Sequence, residues 1–161
     1  MKIYIGGDHT GYEIKDELKK YLSELGHEVE DKGAFKYDKD DDYPDFVSVV
    51  AESVANEKNS FGVVLGGSGQ GEAMCANRIK RVRAAVFYGE ALPQSDIDIN
   101  GQKSNDPYEI VKLARVHNNA NVLSLGTRFL SLDQIKFATE LFLSTSFPAE
   151  ERHLRRINKL G

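Results

Sequence analysis

The sequence predicts a three-layer α/β/α domain of the Rossmann-like class, with a five-stranded parallel sheet and a C-terminal helix that extends from it. Short apolar runs rich in β-branched residues alternate with segments of helical periodicity, which is typical of βαβ units. Several of these runs are almost continuously apolar, as expected of strands that are covered on both faces. Ligands in such folds bind outside the carboxyl ends of the strands, so the loops after the first, third, fourth and fifth strands are candidates for a functional site.

The N-terminal part of the chain predicts two strand–helix units. The first strand is expected at Ile3–Gly6, and Gly26 ends the helix that follows it. The apolar face of this helix consists of Ile14, Leu18, Leu22 and Leu25. A weak, polar second strand at Glu28–Asp31 indicates a sheet edge. The acidic stretch Asp38–Asp42 predicts a solvated loop, and Pro44 opens the next helix, since proline is tolerated in a first turn.

The rest of the chain predicts three further strands, at Phe61–Leu65, Arg83–Phe87 and Asn121–Leu125. Between the last two strands lies the polar segment Gly89–Pro107, which predicts a long loop. Helices are expected over Glu72–Ile79, over Tyr108–Val116, after the capping-box pair Ser131 and Gln134, and over Glu150–Leu160.

Composition limits the classes of protein to consider. A length of 161 residues fits one domain, 1–161, and 21 basic against 25 acidic side chains give a formal charge of −4. That balance supplies no general field for nucleic acid or for an anionic membrane. The single cysteine, Cys75, excludes an internal disulfide and suits a reducing compartment, so we expect a cytoplasmic protein. A predicted strand follows Met1 directly, which leaves no room for a signal peptide, and no apolar run has membrane-spanning length.

A glycine-rich loop after the third strand is the first candidate for chemistry. Gly67, Ser68, Gly69, Gln70 and Gly71 link a buried strand to a helix, a context in which backbone N–H groups can bind an anion. The spacing matches neither the dinucleotide-binding nor the P-loop pattern. The glycines could also serve only to form a tight turn. Glu72 follows at once, either as a general base beside the bound ligand or as an ordinary acid at a helix start.

Other polar residues gain a functional interpretation only in combination. Asp8 and His9 leave the first strand at the same sheet edge, although a capping Asp beside a structural His is an alternative. His117 and Asn118 could equally belong to a turn that ends a helix. Basic residues could form a phosphate site or a solvated face, with Arg152 and Arg156 at i, i+4 spacing and Arg128 after the fifth strand.

These segments, in this order and over nearly the whole chain, resemble the ribose-5-phosphate isomerase B family, which also contains the subunits of galactose-6-phosphate isomerase. The matching motifs are Gly7–Tyr12, Asp31–Gly33, Asp42–Pro44, Gly66–Glu72 with Ala76-Asn77, Arg83–Ala85, His117–Asn121, Gly126–Arg128, Arg152-His153 and Arg155-Arg156. Many members of this family place a cysteine base where this chain has Gly66. Another branch uses a glutamate just after the loop, and Glu72 occupies that position.

The resemblance implies an aldose–ketose isomerase that works without metal or cofactor. Glu72 and His117 would be the catalytic residues, with His117 opening the sugar ring and Glu72 carrying a proton from C2 to C1 through a cis-enediolate. The substrate-binding residues would be Asp8, His9, Gly67, Ser68, Gly69, Gln70, Gly71, Asn118, Arg128, Arg152 and Arg156. Members of the family share the site between two subunits, which implies a homodimer or a dimer of dimers.

Ribose 5-phosphate and ribulose 5-phosphate are the expected substrates, but other interpretations stay open. The segment Gly89–Pro107 is longer than the family leads us to expect, so a tetrose 4-phosphate, allose 6-phosphate or galactose 6-phosphate is an alternative substrate. The same open sheet could also serve a non-catalytic sensor of sugar phosphates or nucleotides, since a fold alone does not establish chemistry. Finally, the chain could require a paralogous subunit.

Overall fold

The computed structural model describes residues 1–160 and confirms the five-stranded parallel sheet. The strands are β1 (Lys2–Gly7), β2 (Glu28–Asp31), β3 (Ser60–Gly66), β4 (Ala84–Phe87) and β5 (Val122–Gly126). They lie in the order β2-β1-β3-β5-β4, and every neighbouring pair is parallel. The weak polar strand β2 is therefore at one edge of the sheet, as its sequence indicates, and β4 is at the other edge.

Within residues 1–160 the chain forms six helices, five of which pack on the sheet. They are α1 (Tyr12–Glu24), α2 (Pro44–Asn56), α3 (Gln70–Ala76), α4 (Glu109–Asn118), α5 (Leu132–Ser144) and α6 (Glu151–Ile157). The predicted capping box opens α5, since Ser131 Oγ accepts from the Gln134 N–H at 3.2 Å and Gln134 Oε1 accepts from the Ser131 N–H at 2.9 Å. Within residues 1–160 no helix is both long and apolar enough to cross a membrane.

The hydrophobic core lies in two layers because alternate side chains of each strand point to opposite faces. On one face Ile3, Ile5 and Leu65 pack with residues of α1, α4 and α5, including the buried Phe142. On the other face the strand residues pack against α2, whose Val47 and Val50 are fully buried. Each such side chain contributes about 1.5–3 kcal/mol relative to an exposed one.

Several helix boundaries differ from those predicted. Helix α3 begins at Gln70 and ends at Ala76, because the Asn77 side chain bonds to both backbone groups of Ala84 and turns the chain into β4. Helix α4 ends at Asn118, because the next residue, Asn119, adopts a left-handed conformation (φ 45°). His117 is therefore in the last helical turn rather than in the turn that follows. Helix α6 ends at Ile157, three residues before the predicted Leu160.

The predicted loop Gly89–Pro107 contains no helix or strand and joins β4 to α4. Its two ends are held together, because the Ala91 N–H donates to the Pro107 carbonyl at 3.0 Å. At its far end Asp98 Oδ1 accepts from the N–H groups of Asn100 and Gln102, both at 2.9 Å. The segment is therefore a closed polar loop at the β4 edge.

Candidate active site

The loops after β1, β3 and β5 converge at one edge of the sheet. Registers of the neighbouring strands place Gly7 opposite Leu65, and Gly66 opposite Gly126, at their carboxyl ends. Thr127 joins all three loops: its Oγ1 lies 3.1 Å from the carbonyl oxygens of both Thr10 and Gly66, and its N–H donates to Gly66 at 2.8 Å. These hydrogen bonds therefore hold the three loops together at the predicted site.

Glu72 lies beneath these loops as a buried carboxylate. Only 4% of the residue is exposed. An ideal Cβ built on Gly66 would overlap the Glu72 carboxyl group, so this acid fills the space that a side chain at position 66 would occupy. Burial raises the pKa of Glu72, its own N–H opposes the shift, and the neighbouring Asp8 charge adds to the rise. The Glu72 carboxylate thus has an increased proton affinity and lies at the floor of the candidate site.

The glycine-rich loop wraps around Glu72. Gly69 adopts a left-handed conformation (φ 74°), and Ser124 Oγ donates to its carbonyl at 2.6 Å. Within residues 1–160 the N–H groups of Ser68, Gly69 and Gly71 have no hydrogen-bond acceptor, so they are available to an anionic ligand. The ring of Tyr43 lies against Gly71, with its hydroxyl oxygen 2.9 Å from the position of an ideal Cβ.

Asp8 and His9 are brought to the same place by the end of β1. Asp8 is buried, and its Oδ1 accepts from the N–H of Thr10 at 2.9 Å and from its hydroxyl at 2.5 Å. The His9 ring bonds through Nδ1 to Asp41 Oδ1 at 2.6 Å, and the His9 N–H donates to the same oxygen at 3.2 Å. This hydrogen bond, with smaller contributions from both carboxylates, raises the pKa of His9 against desolvation and the opposing charge of Arg128.

The place of Asp41 corrects one expectation from the sequence. The acidic stretch Asp38–Asp42 was expected to be a solvated loop, yet the Asp41 side chain is only 7% exposed. Its neighbour Asp40 does fit that expectation, with 76% of its side chain exposed. An acidic run gives no sign of which member turns inward, although the adjoining Asp42–Pro44 motif places the run close to the site.

Asp8, His9 and Asp41 also form the cluster most suited to a cation, because one potential ligand atom from each lies within 4.8 Å of the others. These atoms already make hydrogen bonds within the protein, His9 to Asp41 and Asp8 to Thr10. A metal ion would have to displace the His9–Asp41 hydrogen bond. The three groups therefore fit a hydrogen-bonding site better than a metal centre.

Arg128 supplies a positive charge to the same site. Its guanidinium lies against the glycine-rich loop, with Cζ 3.1 Å from the position of an ideal Cβ on Gly67. Its backbone N–H donates to the Gly67 carbonyl at 3.1 Å. Because the side chain is exposed and close to His9, Arg128 and His9 can bind one anion from solvent together.

The remaining predicted residues lie elsewhere in the chain. Helix α4 runs opposite to the strands, so His117 and Asn118 at its C-terminus lie at the amino end of the sheet, away from Glu72. The His117 ring stacks on His153 of α6, with centroids 4.5 Å apart. Arg152 and Arg156 are carried by the same short helix. Within one chain, these four residues do not join the site; they form a second group, which consists of His117, Asn118, Arg152 and Arg156.

Arg83 holds the C-terminal end of α4 in place and was not singled out as a functional residue by the sequence. Its Nε donates to the carbonyls of Asn118 at 2.9 Å and Asn119 at 3.0 Å. Burial lowers the pKa of this guanidinium. A groove of about 1170 Å³ lies beside it along the edge strand β4 and is partly lined by His117 and Asn118. The C-terminal end of α4 thus borders an open edge of the molecule.

Comparisons with known proteins show the family to which the chain belongs. The family model described as Ribose/Galactose Isomerase matches residues 3–101 and 104–160. Ribose-5-phosphate isomerase B of Mycobacterium tuberculosis is 35% identical over 100% of this chain and 88% of the relative. The enzyme of that name from Escherichia coli is 31% identical over 99% of this chain and 93% of the relative.

Solved structures of the same kind are also similar. The structure of ribose-5-phosphate isomerase B from Mycoplasma genitalium with bound ribulose 5-phosphate superposes with a TM-score of 0.84 at 34% identity, covering 99% of this chain and 93% of that one. The corresponding structure from Thermotoga maritima gives a TM-score of 0.81 at 36% identity, covering 99% and 96%.

Proposed function

The chain belongs to the ribose/galactose isomerase family, and we propose that it interconverts ribose 5-phosphate and ribulose 5-phosphate with Glu72 as the proton-transferring base. It is an aldose–ketose isomerase of sugar phosphates, as are the relatives named ribose-5-phosphate isomerase B. The bound ribulose 5-phosphate in the M. genitalium structure supports this choice of substrate. The free thiol of Cys75 fits the cytoplasmic location that we propose.

One observation carries the assignment of the base: the Glu72 carboxyl group occupies the space above Gly66, where relatives with a cysteine base would place their side chain. A carboxylate with a pKa raised by burial is better matched to proton abstraction near neutral pH than an exposed one. Both Gly66 and Glu72 are needed for this arrangement, which supports placing the chain in the glutamate branch.

The reaction then follows from the groups at the carboxyl edge. Glu72 removes the C2 proton of the open-chain aldose, which leaves an enediolate with negative charge at the oxygen on C1. The free N–H groups of Ser68, Gly69 and Gly71 stabilise that oxygen, a contribution of about 3–4 kcal/mol per donor in comparable sites. Glu72 returns the proton to C1, the oxygen on C2 becomes the ketone, and the hydroxyl proton passes to the oxygen on C1.

The second group completes the site if two copies associate. In a homodimer, or in a dimer of dimers, we place His117 of the partner subunit over the sugar as the acid that opens the ring. Arg152 of the partner subunit and Arg156 of the partner subunit then bind the phosphate together with Arg128. Asn118 of the partner subunit binds the sugar. The open groove along β4 supports such an association, because it leaves this group at a free edge of the chain.

Exchange with solvent tests the chemistry directly. In D₂O, ribulose 5-phosphate formed from ribose 5-phosphate should acquire deuterium at C1, because the proton on Glu72 exchanges before its return. The variant Glu72→Gln keeps the size of the side chain but cannot accept a proton. We expect it to lose at least about 10²-fold in kcat, while binding of inorganic phosphate, measured by calorimetry, is retained. Substantial turnover by this variant would exclude Glu72 as the base.

A different sugar phosphate is the second candidate, because the long loop after β4 begins at the site. Tyr88 immediately precedes this loop and lies against Gly126. The Tyr88 Cβ is 2.8 Å from the position of an ideal Cβ on Gly126. Its ring also packs edge-on against Phe129. Assays over four-, five- and six-carbon aldose phosphates decide between substrates. A kcat/KM at least about tenfold higher for another sugar, equal to about 1.4 kcal/mol, would replace the pentose phosphate.

A further inference from the structure

The buried carboxylate of Asp41 has a function beyond filling its loop. Both the ring and the backbone N–H of His9 are bonded to a single oxygen of Asp41, Oδ1. The other oxygen, Oδ2, is buried and has no hydrogen-bond partner within residues 1–160. A carboxylate with one unpaired, desolvated oxygen is unfavourable unless a neighbouring positive charge offsets the loss of water. The residue in position to provide that charge is His9.

The contact also fixes which nitrogen of His9 faces a ligand. With Nδ1–H donating to Asp41, the ring has only Nε2 left, and Nε2 has no partner within residues 1–160. In the protonated ring both nitrogens are donors, so Nε2–H is presented to whatever anion enters. We propose that Asp41 is a positioning residue that holds His9 as an imidazolium whose Nε2–H binds the phosphate of the substrate beside Arg128.

The charges around His9 explain why a carboxylate such as that of Asp41 is needed to keep the ring positive. Asp8 and Asp41 favour the positive ring, and Arg128 opposes it, while the uncharged ring of Tyr37 packs edge-on. Two cations on one side of a site repel each other when no anion is bound. Asp41 counters that repulsion on the face of the ring away from Nε2, so the site stays doubly positive for a dianionic phosphate. The phosphate assignment rests on the proposed function, whereas the charge state of His9 does not.

The matched pair Asp41→Asn and Asp40→Asn tests the proposal. Asparagine keeps the shape of each side chain but removes its charge, and the exposed carboxylate of Asp40 pairs with Lys39 at 3.5 Å. We expect Asp41→Asn to raise KM for ribose 5-phosphate roughly tenfold to hundredfold, the loss typical of a charge-assisted hydrogen bond, with kcat changed less than about threefold. Asp40→Asn should match the wild type. A fall in kcat with unchanged KM would overturn the proposal.

Two measurements do not depend on turnover. In NMR titrations, with the His9 signal identified by its loss in His9→Gln, the pKa of His9 should be above the ordinary value in the wild type. It should fall in Asp41→Asn only. Calorimetric binding of inorganic phosphate should weaken in Asp41→Asn, and more strongly as the pH rises through the lowered pKa.

These measurements also separate the possible failures. An ordinary or lowered pKa of His9 in the wild type would overturn the proposal even if Asp41→Asn did not fold. If the wild type has a raised pKa of His9 and binds phosphate but has no isomerase activity, the proposed function fails and the role of Asp41 stands.

Discussion

Gly66 and Glu72 share one small volume at the end of β3, so each restricts the other. An ideal Cβ at position 66 would overlap the Glu72 carboxyl group. In Gly66→Ala the methyl group must therefore displace the carboxylate from the reacting carbon, with little effect on the strand itself. We expect kcat/KM to fall by roughly 10²-fold, the size of a lost general base, while the circular dichroism spectrum stays that of the wild type.

Gly89→Ala is the control for this substitution, because a Cβ at Gly89 meets no atom within 4 Å. Its activity should equal that of the wild type. If Gly66→Ala keeps more than half of the wild-type activity, the close fit between position 66 and Glu72 has no catalytic importance.

The burial of the Glu72 carboxylate also costs stability. Its pKa is raised in the folded chain, so the unfolded chain releases the proton first as the pH rises. The stability contributed by the protonated acid is present below the unfolded pKa and is lost as the pH passes through the raised folded value. We expect Glu72→Gln to increase the free energy of unfolding near neutral pH by on the order of 1 kcal/mol.

Urea unfolding at matched protein concentration, at pH values from about 4 to 8, measures this difference. The gain should shrink towards the acidic end, where Glu72 is protonated in both states and resembles glutamine. A difference that does not change with pH would contradict an electrostatic origin.

The sequence predicts some of these side chains better than others. Asp8 and His9 follow β1 directly, and Glu72 is in the first turn of the helix that follows β3. Parallel strands aim the residues after them at one edge of the sheet, so the meeting of these three could be predicted. The burial of Asp41 could not, because its direction depends on the path of a loop fixed by contacts distant in the chain. The same holds for Arg83, whose partners lie 35 and 36 residues away.

The junction between α1 and β2 depends on a buried ion pair. Lys15 is 1% exposed, and its Nζ donates to Asp31 Oδ1 at 2.8 Å and to the Ala34 carbonyl at 2.5 Å. Removal of the lysine leaves a carboxylate with little access to water. We expect Lys15→Met to lower the free energy of unfolding by about 3–5 kcal/mol, the range seen when one partner of a buried pair is removed.

Lys19→Met provides the comparison, because Lys19 reaches the same carboxylate from the surface. Its Nζ lies 3.8 Å from Asp31 Oδ2, and 42% of its side chain is exposed. An exposed pair of this kind contributes at most about 1 kcal/mol, so thermal melting should show a small shift. Equal losses in the two variants would mean that burial does not set the strength of the pair.

Helix type could be predicted from the sequence more reliably than helix length. The apolar periodicity of α1 and the capping box of α5 are local signals, and both elements form as expected. The ends of α3 and α4 depend instead on Asn77 reaching Ala84 and on Asn119 adopting a left-handed conformation. Leu25 was placed on the apolar face of α1, yet it follows the last turn and is 47% exposed.

The order of the strands separates the predicted site residues into two groups. Strands β1, β3 and β5 are adjacent, so Asp8, Glu72 and Arg128 meet at their carboxyl ends. Helix α4 returns the chain to the opposite end, where His117 lies beside α6. No small motion of one chain can bring the two groups together across a rigid sheet. The complete site that we propose therefore requires a second copy.

Mixed oligomers test that requirement. Glu72→Gln and His117→Asn each inactivate a different half of the site, so each variant alone should have little activity. In a hybrid dimer one site contains both defects, whereas the other combines intact Glu72 with intact His117 of the partner subunit. Random pairing makes half of the dimers hybrid, so co-expressed chains should recover about a quarter of the wild-type activity. Co-expression of Glu72→Gln with Gly66→Ala, whose defects lie in the same half, should recover none. If the first pair also recovers none although hybrids are isolated by two affinity tags, the reaction does not use His117 across an interface.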